Sequence, residues 1–297
     1  MGIDFPLSVF TGDEVFPFFI QYGEHDEPLY THRHRDFCEL VLVFKGSAVH
    51  EVNGQRHPLA CGDVFVISGD TEHGYRETDG LRIANIMFKP RILEPALDDL
   101  GRLEGFQSLF RLEPWLSGAQ HFESRLHLAV DEQERAAGLV RLMVDEYNGG
   151  VRAGRPGSRS LVLSWFTTLV VLLSRWYGSA ETPPAESPLK LARAVAFLES
   201  HYSESLDLET IAREACLSPR HFRRLFNESY GTSPMQYLQR VRLRAACALL
   251  EHSERSITDL ALACGFSDGN LFSRQFSRSM GLSPSEWRRL HRSRMGE

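Results

Sequence analysis

From about Phe16 to Phe88 apolar and polar positions alternate in short runs broken by turn residues. Glu39–Phe44 (ELVLVF) runs into Lys45-Gly46, and SAVHEV leads to Asn53-Gly54. That dipeptide is a strong two-residue hairpin signal, because both positions tolerate positive φ. A turn at Cys61-Gly62-Asp63 precedes VFVI, and LRIANIMF follows Asp79-Gly80. Strands in series without a helix between them predict an antiparallel sandwich or barrel. After Pro90 the period changes. Ala136, Leu139, Val140, Met143 and Val144 recur at helical spacing within Asp131–Tyr147, and a second, more apolar helix is expected at Ser158–Tyr177. This second helix reads either as a core helix covering the strands or as a dimerisation helix, two roles that different faces can share. Gly178–Pro188 (GSAETPPAESP) is small, polar and proline-rich, the composition of a linker. The expected organisation is therefore a sensor and dimerisation domain over 1–177, a linker over 178–188, and a helical domain over 189–297.

The helical domain contains an internal repeat at a spacing of fifty residues. Ser218 pairs with Asp268, Phe222 with Phe272, Arg224 with Arg274 and Phe226 with Phe276, and the Gly231–Pro234 segment pairs with Gly281–Pro284. So many type-matched positions at one offset imply one structural unit used twice. Each unit reads as helix, turn, capped helix. LETIAREA is followed by Cys216-Leu217, then by Ser218 as N-cap and Pro219 at the first helical position; ITDLALAC ends at Gly265, with Asp268 or Ser267 as the next cap. On the second helix of each unit, residues placed 100° apart gather Phe222, Leu225 and Phe226 on an inner side. Arg220, Arg223, Arg224 and Asn227 face outward, and in the second unit Asn270, Ser273, Arg274 and Ser277 do so. Arg matches a guanine edge with two hydrogen bonds, Asn an adenine edge, and Ser adapts to either. Tyr237–Leu250 reads as a rigid helix connecting the units, which would present both second helices to adjacent major-groove segments about 10 bp apart.

Charge sharpens this picture. The chain of 297 residues carries a net −6, unpromising for a partner of DNA. From Leu189 onward, however, 16 Lys and Arg stand against 12 Asp and Glu, a net of +4, which leaves −10 for the preceding part. Between Pro219 and Arg244 there are six arginines and one acid, Glu228, a surplus suited to phosphates. Five scattered cysteines argue against a disulfide framework, and the N-terminus does not read as a secretion signal. The longest apolar stretch, Leu161–Leu173, is shorter than the roughly 20 residues of a membrane span. A cytoplasmic location without membrane contact is expected.

The segment SITDLALACGFSDGNLFSRQFSRSMGLSPSEWRR, with the repeat around it over Leu189–Arg289, resembles the signature of the AraC/XylS family of bacterial transcription regulators. The resemblance implies a DNA-binding domain of two helix-turn-helix units acting on promoter double-stranded DNA, most often as an activator that contacts RNA polymerase.

The strand region carries a second constellation. His32 and His34 share one side of an extended strand, and Glu39 reaches that side only through a turn or bulge near Arg35-Asp36. His73 arrives from another strand. Three imidazoles and a carboxylate can hold a divalent transition metal; they can equally be barrel side chains that hydrogen-bond an effector or one another. Cys38, alternating to the other face, reads as a packed core thiol. The spacing over Thr31–Gly46 is similar to the first metal-binding motif of cupins, whereas the second motif is half kept: Gly62 and His73 fit, but Ser68, Asp70 and Glu77 replace proline, glycine and asparagine. HRHRDFCELVLV and the TEHGY segment resemble the L-rhamnose-responsive members of the regulator family. That implies a small sugar effector contacted by His32, His34, Glu39, His73 and Tyr75. The expectation is thus an α+β multidomain chain: a cupin-like antiparallel β-barrel, a helical region that makes a homodimer, and an all-α domain with two helix-turn-helix units. A regulator is expected, and not an enzyme. The alternative is a metal-dependent cupin enzyme fused to a DNA-binding domain, with the metal on His32, His34, Glu39 and His73.

Overall fold

The computed structural model describes residues 3–68, 71–112, 125–179 and 186–293. Chain contacts divide it into two compact units, Met1–Ala192 and Arg193–Glu297. The first is built on eight strands: β1 (Ile3–Phe5), β2 (Phe18–His25), β3 (Leu29–His34), β4 (Cys38–Val52), β5 (Gln55–Ala60), β6 (Asp63–Ser68), β7 (His73–Phe88) and β8 (Leu126–His127). The path through the sheet is β1-β3-β7-β4-β6-β8, with β2 also on β7 and β5 also on β4.

The two long strands organise everything else. β4 and β7 pair antiparallel from Cys38↔Phe88 to Val52↔His73. The early half of β4 pairs β6 on its other edge and the late half pairs β5, while β7 gives one half to β3 and the other to β2. The expected hairpin at Asn53-Gly54 forms, with both residues at positive φ. The turns expected at Lys45-Gly46 and Asp79-Gly80 do not. Both lie inside continuous strands, where the register slips past Lys45 and Ser47. Gly46 and Gly80 have positive φ and Glu77 has φ 49°, so residues that read as chain reversals instead make opposed β-bulges. A Cβ on Gly46 would lie 2.3 Å from the carbonyl oxygen of Gly80. Glycine is required there by close backbone approach as well as by φ.

Alternation gives the sheet two apolar faces. Leu40, Leu42, Val64, Val66, Ala84, Ile86, Phe18 and Ile20 belong to one core, while Val41, Val43, Phe65, Ile67, Leu81 and Ile83 belong to another. Helices cover the first face. Helix α1 (Val130–Glu146) buries Ala136, Val140, Met143 and Val144, and α2 (Ser158–Ser179) buries Val162, Phe166, Leu169, Val170, Leu173 and Tyr177. The 22 residues of α2 exceed the apolar stretch that announced it, and by length and composition the helix is sufficient to cross a membrane. Its buried stripe packs in the core behind the sheet, the covering role expected of it. Leu161 of α2 and Leu142 of α1 remain exposed. Cys38 packs against this same core, and burial pushes its thiol up to about 11.

Helix α2 reaches Ser179 and α3 (Glu186–Ser200) starts before Leu189, so helix consumes both ends of the proposed linker; its middle, 180–185, and Asp70 lie outside the described residues. The second unit continues with α4 (Leu208–Glu214), α5 (Pro219–Tyr230), α6 (Pro234–His252), α7 (Ile257–Ala263), α8 (Gly269–Met280) and α9 (Pro284–Ser293). Its helices are bounded by local chemistry. The side chains of Asp207, Ser218, Ser233, Ser256 and Asp268 each accept a backbone N–H three residues on, and α5 and α8 stop at Gly231 and Gly281 in left-handed geometry.

Candidate nucleic-acid interface and effector cavity

Helices α4–α5 and α7–α8 are the two helix-turn-helix units. Ile211 and Ala212 of α4 and Leu260 and Ala261 of α7 are buried, as are Phe222 and Phe226 of α5 and Phe272 and Phe276 of α8. The first helices thus correspond at an offset of 49 and the second helices at 50, so the turn of the second unit is one residue longer. Cys216, with φ 52°, occupies the position of Gly265, with φ 81°. In both units the following amide closes the turn: Leu217 N–H donates to the Ala212 carbonyl and Phe266 N–H to the Ala261 carbonyl. The cysteine carries the left-handed strain that its glycine counterpart avoids. Asp268, rather than Ser267, caps α8.

Arg220, Arg223, Arg224 and Asn227 are exposed on α5, and Asn270 and Arg274 on α8. Ser273 and Ser277 are half-buried, and the Ser273 hydroxyl donates to the Gly269 carbonyl at 2.8 Å. Arg224 makes a 3.4 Å ion pair with Glu228 one turn away, a contact of small worth in water. Leu225 is only half-buried. The arginine surplus is smaller than the sequence count. Arg242 donates to the carbonyls of Tyr202 and Glu204, both at 2.7 Å, and Arg244 lies 2.6 Å from the buried carboxylate of Glu199, which also accepts from the Tyr237 hydroxyl. These two arginines tie α6 to its neighbours and are not spare for phosphates.

In the first unit, β3 and β7 bring His32 opposite His73, and a bend at Arg35-Asp36 turns β4 so that Glu39 joins them. The Nε2 atoms of His34 and His73 are 3.2 Å apart, and Glu39 Oε2 lies 3.5 Å from the first and 3.6 Å from the second. Ligating atoms of His32, His34 and His73 all lie within 4.8 Å of one another. Burial is the main influence on the charge state. It holds the His34 imidazole down to about 3, His73 well below its ordinary value, and Glu39 up to about 8, while the neighbouring imidazoles push His34 and His73 further down. Near neutral pH the cluster is three uncharged rings around a protonated carboxyl.

A cavity of about 380 Å³ opens beside it, bordered by Gln21, His25, His32, Glu39, His73, Tyr75 and Asn85 on the polar side and by Phe5, Phe10, Leu29 and Met87 on the apolar side. This is within the range of roughly 300–1,000 Å³ typical of small-molecule sites. His34 does not border it; that ring stacks on Phe37 at 4.5 Å behind the wall. Glu39 Oε2, Tyr75 Oη, Asn85 Oδ1 and His25 Nε2 are buried without a hydrogen-bond partner among the described residues, an arrangement that costs free energy until a ligand satisfies it.

Sequence models of two families match the chain: an AraC-like ligand binding domain over residues 16–147 and a helix-turn-helix domain over residues 211–290. The HTH-type transcriptional activator RhaR of Escherichia coli (strain K12) is 32% identical over 261 residues, 88% of this chain and 87% of that protein. RhaR of Shigella flexneri serotype 5b is 31% identical over the same shares. The chain belongs to the AraC family of transcription regulators. Among solved structures, the DNA-binding domain of AdpA in complex with a target DNA is 36% identical, covering 36% of this chain and 97% of that one with a TM-score of 0.35. An AraC-family regulator is not an enzyme, so the enzymatic alternative is set aside.

Residues that periodicity did not single out lie at the cavity and beside its histidine cluster. His50 is fully buried between Phe65 and Tyr75, with ring centroids 4.8 and 5.2 Å away. Its Nε2 lies 3.3 Å from Nδ1 of His73. Alternation counted from Glu39 would turn His50 to the opposite face. The Gly46 bulge reverses the alternation, so Ala48 and Val52 share the inner core with Val41 and Val43. His25, Gln21 and Asn85 were missed for a simpler reason: single polar residues on paired strands carry no spacing signal.

Proposed function

We propose that this regulator binds a small neutral sugar of the rhamnose class in the cavity of its N-terminal domain and, as a homodimer joined through α1 and α2, activates transcription from promoter DNA in the cytoplasm with RNA polymerase as its partner. The observation that carries the sugar reading is the set of four buried, unpartnered polar atoms on Glu39, Tyr75, Asn85 and His25 around one cavity. A polyhydroxylated ligand supplies donors and acceptors to all of them, and its apolar edge finds Phe5, Phe10, Leu29 and Met87. His32 and His73 complete the contacts, and His34 acts from behind the wall rather than on the ligand. The strands are read as a cupin-like barrel whose inside is this cavity, and the chain as a sensor joined by the 178–188 segment to a DNA-binding domain. Arg220, Arg223, Arg224 and Asn227 of α5 and Asn270, Ser273, Arg274 and Ser277 of α8 are assigned to DNA. A thermal-shift panel of monosaccharides tests the effector: a ligand of the folded state raises the melting temperature by mass action. We expect a shift with a neutral deoxy- or hexose sugar that is reduced in Asn85→Leu; a panel without any shift overturns the sugar reading.

The histidine cluster supports a divalent transition metal as a second component. Edges of 3.2, 3.5 and 3.6 Å between His34 Nε2, His73 Nε2 and Glu39 Oε2 fit one face of a tetrahedron with bonds of about 2.0–2.1 Å, whose ligands stand roughly 3.3 Å apart. His32 would supply the remaining donor; its Nδ1–H donates to the Tyr30 carbonyl at 3.1 Å, which leaves Nε2 with a lone pair. A metal held by all four would have to take a ligand hydroxyl as a fifth donor in order to offer it Lewis acidity. Elemental analysis of untagged protein decides: about one ion per chain supports the centre, and none removes it while leaving the sugar reading intact.

A further inference from the structure

We propose that His50 is a positioning residue for the metal centre: it accepts a hydrogen bond from Nδ1–H of His73 and so keeps the lone pair of His73 Nε2 directed at the ion. This inference rests on the metal reading above. An imidazole that ligates through Nε2 carries its proton on Nδ1, and a buried N–H needs an acceptor. His73 is fully enclosed, and among the described residues Nε2 of His50 lies within reach of its Nδ1, at 3.3 Å. The other side of the same ring faces Nε2 of His34 and the carboxyl of Glu39. His50 is itself held by packing, clasped between Phe65 and Tyr75 and paired across the strands with His57. It reaches the centre because the Gly46 bulge turns the late half of β4 inward. His32 has a backbone acceptor for its Nδ1–H, so His50 does for His73 what the Tyr30 carbonyl does for His32.

The test uses the full chain with Co²⁺ as probe, its visible absorption reporting ligand geometry, and with Zn²⁺ for nitrogen NMR of the imidazoles. His50→Phe keeps a ring between Phe65 and Tyr75 but removes the acceptor; His50→Gln retains an acceptor oxygen. Loss of such an outer partner typically weakens metal binding about 10–100-fold. We expect that weakening and an altered Co²⁺ spectrum in His50→Phe, with substantial recovery of both in His50→Gln. In wild-type protein loaded with Zn²⁺, His73 should be protonated at Nδ1. Equal Co²⁺ affinity and spectrum in wild type and His50→Phe, or His73 protonated at Nε2, overturns the proposal while the metal centre stands. Wild-type protein that binds neither ion overturns both. The NMR measurement needs no variant, so a misfolded His50→Phe does not shield the proposal.

Discussion

At the scale of single residues, two features have measurable consequences. Gly46 sits at φ 77° with the Gly80 carbonyl oxygen 2.3 Å from where a Cβ would be. Gly46→Ala should therefore cost at least about 2 kcal/mol, left-handed strain plus a clash between two backbones that cannot part without breaking the ladder. A lowered urea midpoint with an unchanged slope is the expected reading. The buried cluster sets the pH profile of metal-free protein. His34, held down to about 3, is neutral in the fold but protonated in the unfolded chain below about 6.5, so stability rises with pH from about 3 to 6.5, and His73 and His50 add in the same direction. Glu39, raised to about 8, keeps its proton in the fold while the unfolded chain loses it near 4.5, so its contribution falls as pH rises from about 4.5 to 8. With His32, also lowered by burial, four groups against one make acid the steeper limb. Chemical denaturation in the presence of a chelator should show greatest stability near pH 7 and a shallow decline from there toward 8, well under the one-proton limit of about 1.4 kcal/mol per pH unit; a profile rising steadily to pH 8 contradicts this account.

At the scale of elements, the sequence carried the helix-turn-helix units well because their signals are local. Caps at Ser218 and Asp268, stops at Gly231 and Gly281 and the 3.6-residue spacing of paired phenylalanines all act within a turn or two of helix. Ser218→Ala should lower the stability of the first unit by about 1 kcal/mol, read as a reduced melting temperature. The arginine faces were legible too, but not the diversion of Arg242 and Arg244 to Tyr202, Glu204 and Glu199, which depends on helices some forty residues apart in sequence meeting. Arg224→Ala and Arg274→Ala should each lose about 1–3 kcal/mol of discrimination between the protein's own upstream DNA and random duplex. Gel-shift or anisotropy titrations at fixed salt measure this; uniform weakening on all sequences would make these arginines phosphate contacts. The strands were harder. Glycine at Gly46 and Gly80 signals positive φ but does not say whether the chain reverses or bulges. That choice is made by pairing along the whole of β4 and β7, and with it goes the inward turn of His50.

Across the whole molecule, two compact units and a family of regulators agree with the charge asymmetry between the acidic and basic parts of the chain. The site was legible where spacing repeats a motif, at His32, His34, Glu39 and His73, and illegible where the cavity borrows isolated residues such as His25 and Asn85. For the proposed homodimer, the exposed Leu142 and Leu161 on α1 and α2 offer the apolar contacts. Leu142→Glu with Leu161→Glu should convert a dimer into a monomer in sedimentation velocity while leaving sugar-induced thermal shifts in place.

The alternation of β4 has one more implication. Glu39 borders the cavity and Val41 packs in the apolar core on the same face, whereas Leu40 and Leu42, their immediate neighbours, rest in the core shared with α1 and α2. One thickness of polypeptide is thus the partition between the cavity and the helices. Whatever displacement a guest imposes on that strand arrives at the helical side undiluted, with no intermediary to relay it.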